Sequence, residues 1–172
     1  MRRKMVTVLV GLAMVMSPGA VYAETNLVLA DDQIQSIRDG CKQAKSVLQQ
    51  VHSYDALARV NSGQRYENIA NRVMAPFISR MAINGINTVA LSEASANFKL
   101  RIKDFTDAYA TYEDRLSKAI KTDCVNHPVE FYADILDARQ KRTLVHDAAQ
   151  QLNTQLEKYR QVFESVIKDH NG

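Results

Sequence analysis

The stretch from Phe98 to Ala119 restricts the fold of this chain more than any other. Phe98, Ile102, Phe105, Tyr109, Tyr112, Leu116 and Ala119 follow one another in alternating steps of four and three residues. Such spacing makes a heptad seam, an apolar stripe that a helix buries only against other helices. Leu91 and Ser95 extend the seam backwards, to about four heptads. Tyr109 and Tyr112 carry hydroxyls, each of which needs water or a polar partner at its tip. Arg101, Lys103, Asp104, Asp107, Glu113 and Asp114 fall on the outer faces, where charge pairs along a helix are favourable.

Two other segments can cover this seam. Upstream, Ile34, Ile37, Cys41, Ala44, Leu48 and Val51 form a stripe that blurs at Asp55 and resumes at Tyr66, Ile69, Val73 and Phe77. Asp31 or Asp32 is expected to cap its N-terminus. Asn61-Ser62-Gly63 admits two readings. As a turn it splits the segment and yields a shorter four-helix bundle. As an interior irregularity it costs about 1 kcal/mol for the glycine and leaves one long helix, which is the preferred reading. Pro76 predicts a kink over 72–76, because its ring clashes with the preceding turn and it has no N–H. Asn84-Gly85-Ile86-Asn87 then predicts a helical-hairpin turn, with Thr88 or Ser92 starting the next helix.

Downstream, the stretch from Thr122 to Pro128 marks a second corner. Pro128 suits the first position of a helix, Asn126 or His127 lies near its cap, and Glu130 adds negative charge to the first turn. From there Phe131, Ile135, Ala138, Arg142, Val145, Ala149, Leu152, Leu156, Tyr159, Phe163 and Val166 advance by threes and fours. Arg142 is the charged member of this seam. It either snorkels to solvent or pairs with an acid on a neighbouring helix.

The cysteines connect these pieces. Cys41 lies 44 residues before Gly85, and Cys124 lies 39 residues after it. A hairpin turning at Gly85 brings the two nearly level, and an oxidising compartment joins them. The expected fold is all-α: an elongated antiparallel three-helix bundle, up-down-up, with one inter-helix disulfide between Cys41 and Cys124. Residues 31–170 form its single domain, a rod of roughly 60 Å.

The chain opens like an export signal. Met1-Arg2-Arg3-Lys4 is basic, Val6 to Met16 is apolar, Ser17-Pro18-Gly19 breaks the run, and Val21-Tyr22-Ala23 offers small residues before a cut. Residues 1–23 are read as a cleaved signal peptide and 24–30 as a flexible lead-in. The apolar run falls well short of the roughly 20 residues needed to span a bilayer. No later run is long enough, so the mature chain is expected to lack a transmembrane segment. The whole sequence has 22 Lys+Arg against 19 Asp+Glu, and Arg2, Arg3 and Lys4 account for the excess. Without them the charge is balanced, which argues against a nucleic-acid or anionic-membrane partner. Export ends in a periplasm, at a cell surface or in the medium.

The sequence carries few motifs that mark chemistry. His52, His127, His146 and His170 make no compact metal motif, and the cysteines make no Cys-x-x-Cys pair. Asp31-Asp32 reads as a helix start, and Asp134 with Asp137 as solvent-facing positions rather than a calcium loop. No glycine-rich phosphate loop or nucleophile elbow is present. No catalytic, metal-binding or cofactor-binding residue is assigned, and no cofactor is expected. The candidate interaction surface is the basic cluster Arg139, Lys141 and Arg142, with Arg65 and Tyr66 from the polar stretch after Asn61. The expected function is that of a noncatalytic exported bundle, a protein-interaction or structural module whose partner is another envelope or extracellular protein. A holdase-like chaperone or apolar-ligand carrier is the alternative, and it requires a groove opening near Asn61 to Gly63 or near Pro76. An enzyme or enzyme inhibitor working at the Asn126-His127 corner is the third reading. A seam satisfied within one chain is compatible with a monomer.

Overall fold

The structure, a computed structural model, describes residues 27–171. The expected signal peptide over 1–23, and the first part of the lead-in, lie outside the described residues. The elements are α1 (Asp31–Asn68), a π-helical segment (Ile69–Met74), α2 (Ala75–Ile83), α3 (Val89–Lys121) and α4 (Pro128–Asn171). The first three run on as one rod over 31–83, so the fold is a three-helix bundle. The four-helix alternative fails because Asn61-Ser62-Gly63 stays helical within α1. A glycine there is tolerated, since its cost is small beside the turns on either side that hold it.

Local chemistry sets each boundary. α1 starts after Ala30, which is extended, and whose N–H donates to Gln33 Oε1 at 3.0 Å. Asp31 and Asp32 therefore sit inside the first turn, where they favour the helix dipole, instead of capping it. The kink expected at Pro76 takes the form of the π segment just before it. There the Ala75 N–H donates to Ala70 O, five residues back. The wider turn carries the chain past a proline without ending the rod.

Gly85 makes the hairpin turn, with φ 74°. Its N–H donates to Ala82 O at 3.0 Å, and the Ile86 N–H donates to Met81 O at 3.0 Å. This is a Schellman closure, and it needs a residue free to adopt positive φ. Asn87 Oδ1 accepts the Val89 N–H at 3.1 Å, so Asn87 rather than the Thr88 side chain supports the start of α3. At the second corner Asp123 Oδ1 accepts the N–H groups of Val125 at 2.9 Å and Asn126 at 3.1 Å. Those bonds, chiefly from Asn126, hold the Asp123 carboxyl below its ordinary range. Cys41 and Cys124 are bonded, with Cα atoms 5.6 Å apart, and Arg38 Nε donates to Val125 O at 3.1 Å beside them.

The core is unevenly shared. α3 buries Leu91, Phe98, Phe105, Tyr109, Tyr112, Leu116 and Ala119 along its seam. α4 answers with Phe131, Ala138, Ala148, Leu152 and Tyr159. The first rod has fully buried residues only past its midpoint, at Ala70, Met74 and Met81, while Leu48 and Val51 pack half-buried against Tyr109, Tyr112, Leu116 and Ala138. Tyr66 packs edge-on to Phe98 and Phe105, at 6.3 and 5.8 Å between centroids, and Phe77 lies 5.0 Å from Phe163. α1 itself has no buried residue. One expectation is corrected here. Asp134 is not solvent-facing but buried, accepting Lys118 Nζ and Thr122 Oγ1, each at 2.7 Å. A carboxylate can be buried there because both of its oxygens are satisfied where α3 meets α4.

Two tests follow from this architecture. A Cβ at Gly63 would meet nothing within 4 Å, whereas Gly85 holds positive φ. Gly63→Ala is expected to raise unfolding stability by about 0.5–1 kcal/mol, and Gly85→Ala to lower it by about 1 kcal/mol. Urea titration distinguishes the two signs. The disulfide spans 83 residues. Its reduction is expected to cost up to roughly 4 kcal/mol, and thiol labelling of the folded, unreduced chain to find no reactive cysteine.

Candidate functional site

α1 lies along the α3–α4 hairpin without closing on it. The α1 residues along the space between them are Gly40, Gln43, Ala44, Val47, Leu48 and Val51, then Asp55, Ala58, Arg59 and Ser62. Leu48 and Val51 pack half-buried against the cluster of Tyr109, Tyr112, Leu116 and Ala138, while Gly40, Ala44, Ala58 and Ser62 around them are small. Beside those contacts the small residues leave the space between α1 and the hairpin only partly filled. The result is a groove walled by α1 and α4, with Phe105, Tyr109, Tyr112 and Leu116 of α3 as its floor. An upper compartment of about 670 Å³ reaches from Asp55 to Ser62 along α1. A lower one of about 550 Å³ reaches from Gly40 to Val51. Both volumes lie within the range of small-molecule sites.

A polar strut marks the division between them. Asp55 Oδ2 accepts Arg142 Nε at 3.0 Å and the Tyr112 hydroxyl at 2.6 Å, while Oδ1 accepts Arg142 Nη2 at 3.0 Å. The arginine fork thus grips both carboxylate oxygens, a geometry that fixes orientation as well as charge. Burial, the Asp55 hydrogen bond and the Asp55 charge push the Tyr112 hydroxyl well above its ordinary range. Arg142 is likewise raised, first by its hydrogen bonds to Asp55. The Arg142 side chain is 59% exposed and that of Asp55 only 19%. Solvent therefore screens the arginine side, and the net contribution is on the order of 1 kcal/mol.

The upper compartment carries further positive charge. Arg59 stands over the Tyr109 ring, 5.4 Å from its centroid. This is a cation–π contact across the α1–α3 boundary. Arg139 and His146 line the α4 wall. Among the described residues, neither Arg59 nor Arg139 has an acidic side chain within 4.0 Å. Burial, followed by the charges of Glu113 and Asp55, raises the Tyr109 hydroxyl.

The residues singled out in the sequence divide between several places. Arg139 and Arg142 line the groove together. Lys141 does not; its Nζ lies 3.9 Å from Asp137 Oδ1. Arg65 is exposed, and Tyr66 is half-buried against the aromatic core, so neither joins the basic pair. Arg142 pairs with an acid on a neighbouring helix, one of the two outcomes its position allowed. Sequence reasoning missed Asp55, Arg59, Tyr109 and Tyr112 as site residues. A signal was present for Asp55. It interrupts the α1 stripe as Arg142 interrupts the α4 seam, with opposite charge.

Among the described residues no cluster of three or more His, Cys, Asp or Glu side chains is placed to hold a metal ion. No helix among them is long and apolar enough to cross a membrane. No protein-family model, curated protein or solved structure matches the chain.

The strut makes a measurable contribution. Tyr112→Phe is expected to lower stability by about 1 kcal/mol at neutral pH, through loss of one hydrogen bond to a charged acceptor. The raised Tyr112 hydroxyl also sets a pH dependence. Above the ordinary tyrosine value of 10.0, the folded chain retains a proton that the unfolded chain releases. This contribution is complete below that value and is lost as pH rises through the folded-state value. Urea titrations across the alkaline range are expected to show declining stability, less steeply in Tyr112→Phe.

Proposed function

We propose that this chain is a noncatalytic, exported binding module of the cell envelope or exterior, and that the groove beside α1 is its binding surface. The observation that carries this reading is a long helix, held to its neighbours, that buries none of its residues. Larger apolar side chains on its inner face would stabilise the bundle by about 25 cal/mol for each Å² they buried. Gly40, Ala44, Ala58 and Ser62 leave space open around Leu48 and Val51, as binding requires and a purely mechanical strut does not.

Export is supported by the basic and apolar blocks at the start of the sequence and by a disulfide of the kind that persists in oxidising compartments. The groove also favours the narrower reading of an apolar-ligand carrier or holdase. It opens beside Ser62, where that alternative places its entrance, and its compartments have the size of small-molecule sites. The corner at Asn126 and His127 gives less support to an enzyme or inhibitor, because Asp123 spends its carboxylate on the local backbone and on the Asn126 amide.

Uptake of the neutral dye Nile red tests the reading, alongside pull-down from envelope extract with the mature, oxidised chain. Ala58 is exposed and lines the upper compartment, so Ala58→Phe fills the groove without touching the core. Dye fluorescence and any captured partner are expected with the parent chain and to fall at least fivefold with Ala58→Phe. Absence of both signals from the parent chain rejects the reading.

A further inference from the structure

We infer that the upper compartment binds an amphiphilic carboxylate: a single apolar chain of medium length ending in one carboxylate group. The inference rests on the groove being a binding surface and adds the chemistry of its ligand. The lining combines an apolar floor with an excess of cations. Phe105 and Tyr109 form the floor and Ala149 part of the far wall, while three arginines stand against the single carboxylate of Asp55. That carboxylate is committed, since Arg142 and Tyr112 occupy its oxygens. Asp55 and Arg142 cancel as a pair. Arg59 and Arg139 are left on opposite walls, the first held over Tyr109.

These residues select by charge as well as by apolarity. A guanidinium fork matches a carboxylate with two parallel hydrogen bonds and is weakly hydrated, so it approaches an apolar surface at modest cost. A cationic ligand would be repelled by Arg59 and Arg139, and a neutral one would gain no charge-assisted hydrogen bond from them. The compartment extends from Asp55 to Ser62, roughly 10 Å of helix, which suits an alkyl chain of medium length. A membrane surface is the weaker source of such a ligand. The sequence's excess of positive charge lies in Arg2, Arg3 and Lys4, and the rest of the chain is balanced. Outside those three residues the chain has no net positive charge to draw it to a membrane, and the fitting occupant of the groove is one dissolved amphiphile.

Isothermal titration calorimetry on the mature, oxidised chain tests this with octanoate, octanol and octyltrimethylammonium, each below its micelle concentration. Octanoate is expected to bind at least tenfold more tightly than octanol, and the cation more weakly still. Arg59 and Arg139 are exposed, so the double variant Arg59→Gln/Arg139→Gln leaves the core intact. It is expected to abolish the preference for octanoate and leave octanol affinity unchanged. Equal affinity for all three probes, or a preference that survives in the double variant, overturns the proposal. So does binding to anionic phospholipid vesicles without binding to octanoate. If octanol or Nile red binds and Ala58→Phe removes that binding while octanoate gains nothing, the groove remains a binding surface and only the carboxylate assignment fails. If no probe and no protein partner binds, both readings fall.

Discussion

The burial of the α3 seam between neighbours of unequal apolar content governs this structure. α4 can cover the seam along its length because it offers large side chains at matching intervals, from Phe131 to Tyr159. The rod on the other side does so fully only near the Gly85 turn, where Met74 and Met81 are buried and Tyr66 and Phe77 join the aromatic cluster; farther on, only the half-buried Leu48 and Val51 reach it. Around Leu48 and Val51 the same rod presents the small Gly40, Ala44, Ala58 and Ser62. Apolar burial is roughly proportional to area, and these residues have little to offer. The hairpin of α3 and α4 is therefore the frame, and α1 is attached to it.

That attachment uses a different physics at each level. Near the turn it is hydrophobic packing. At the opposite end it is covalent, through Cys41 and Cys124, with Arg38 bonded to the corner backbone beside them. Between the two, Asp55 ties Arg142 and Tyr112 together. None of the three requires α1 to fill the space next to α3 and α4. The disulfide fixes one end at a set distance, and the strut sets a spacing in the middle. The groove follows from fastening a helix by these points and a thin apolar contact at Leu48 and Val51 instead of by a fully buried seam.

The strut also explains why charges are tolerated in two otherwise apolar stripes. An isolated Asp55 or Arg142 at such a position would carry a desolvation cost without compensation. Together they supply each other's hydrogen bonds and satisfy the hydroxyl of Tyr112, which is 3% exposed. Arg59 adds a second polar contact, over the ring of Tyr109. The floor of the groove is thus apolar in its rings and polar at its edges, a combination that orients a ligand with both characters.

Much of this was decided by the sequence alone. Heptad spacing from Phe98 to Ala119, the glycine at the first turn, Pro128 at the second and the positions of Cys41 and Cys124 specify an antiparallel bundle, because each acts through local geometry or simple chain distance. Pro76 announced an irregularity for the same reason. The groove was not legible. Periodicity identifies which face of α1 turns inward, but not how closely that face approaches its neighbours, which depends on side-chain volumes summed across three helices. The meeting of Asp55 with Arg142 and Tyr112, and the burial of Asp134 against Lys118 and Thr122, required the register between helices. A short-range hydrogen bond is made or lost by a shift of an ångström or two, and only the tertiary structure sets distances that finely.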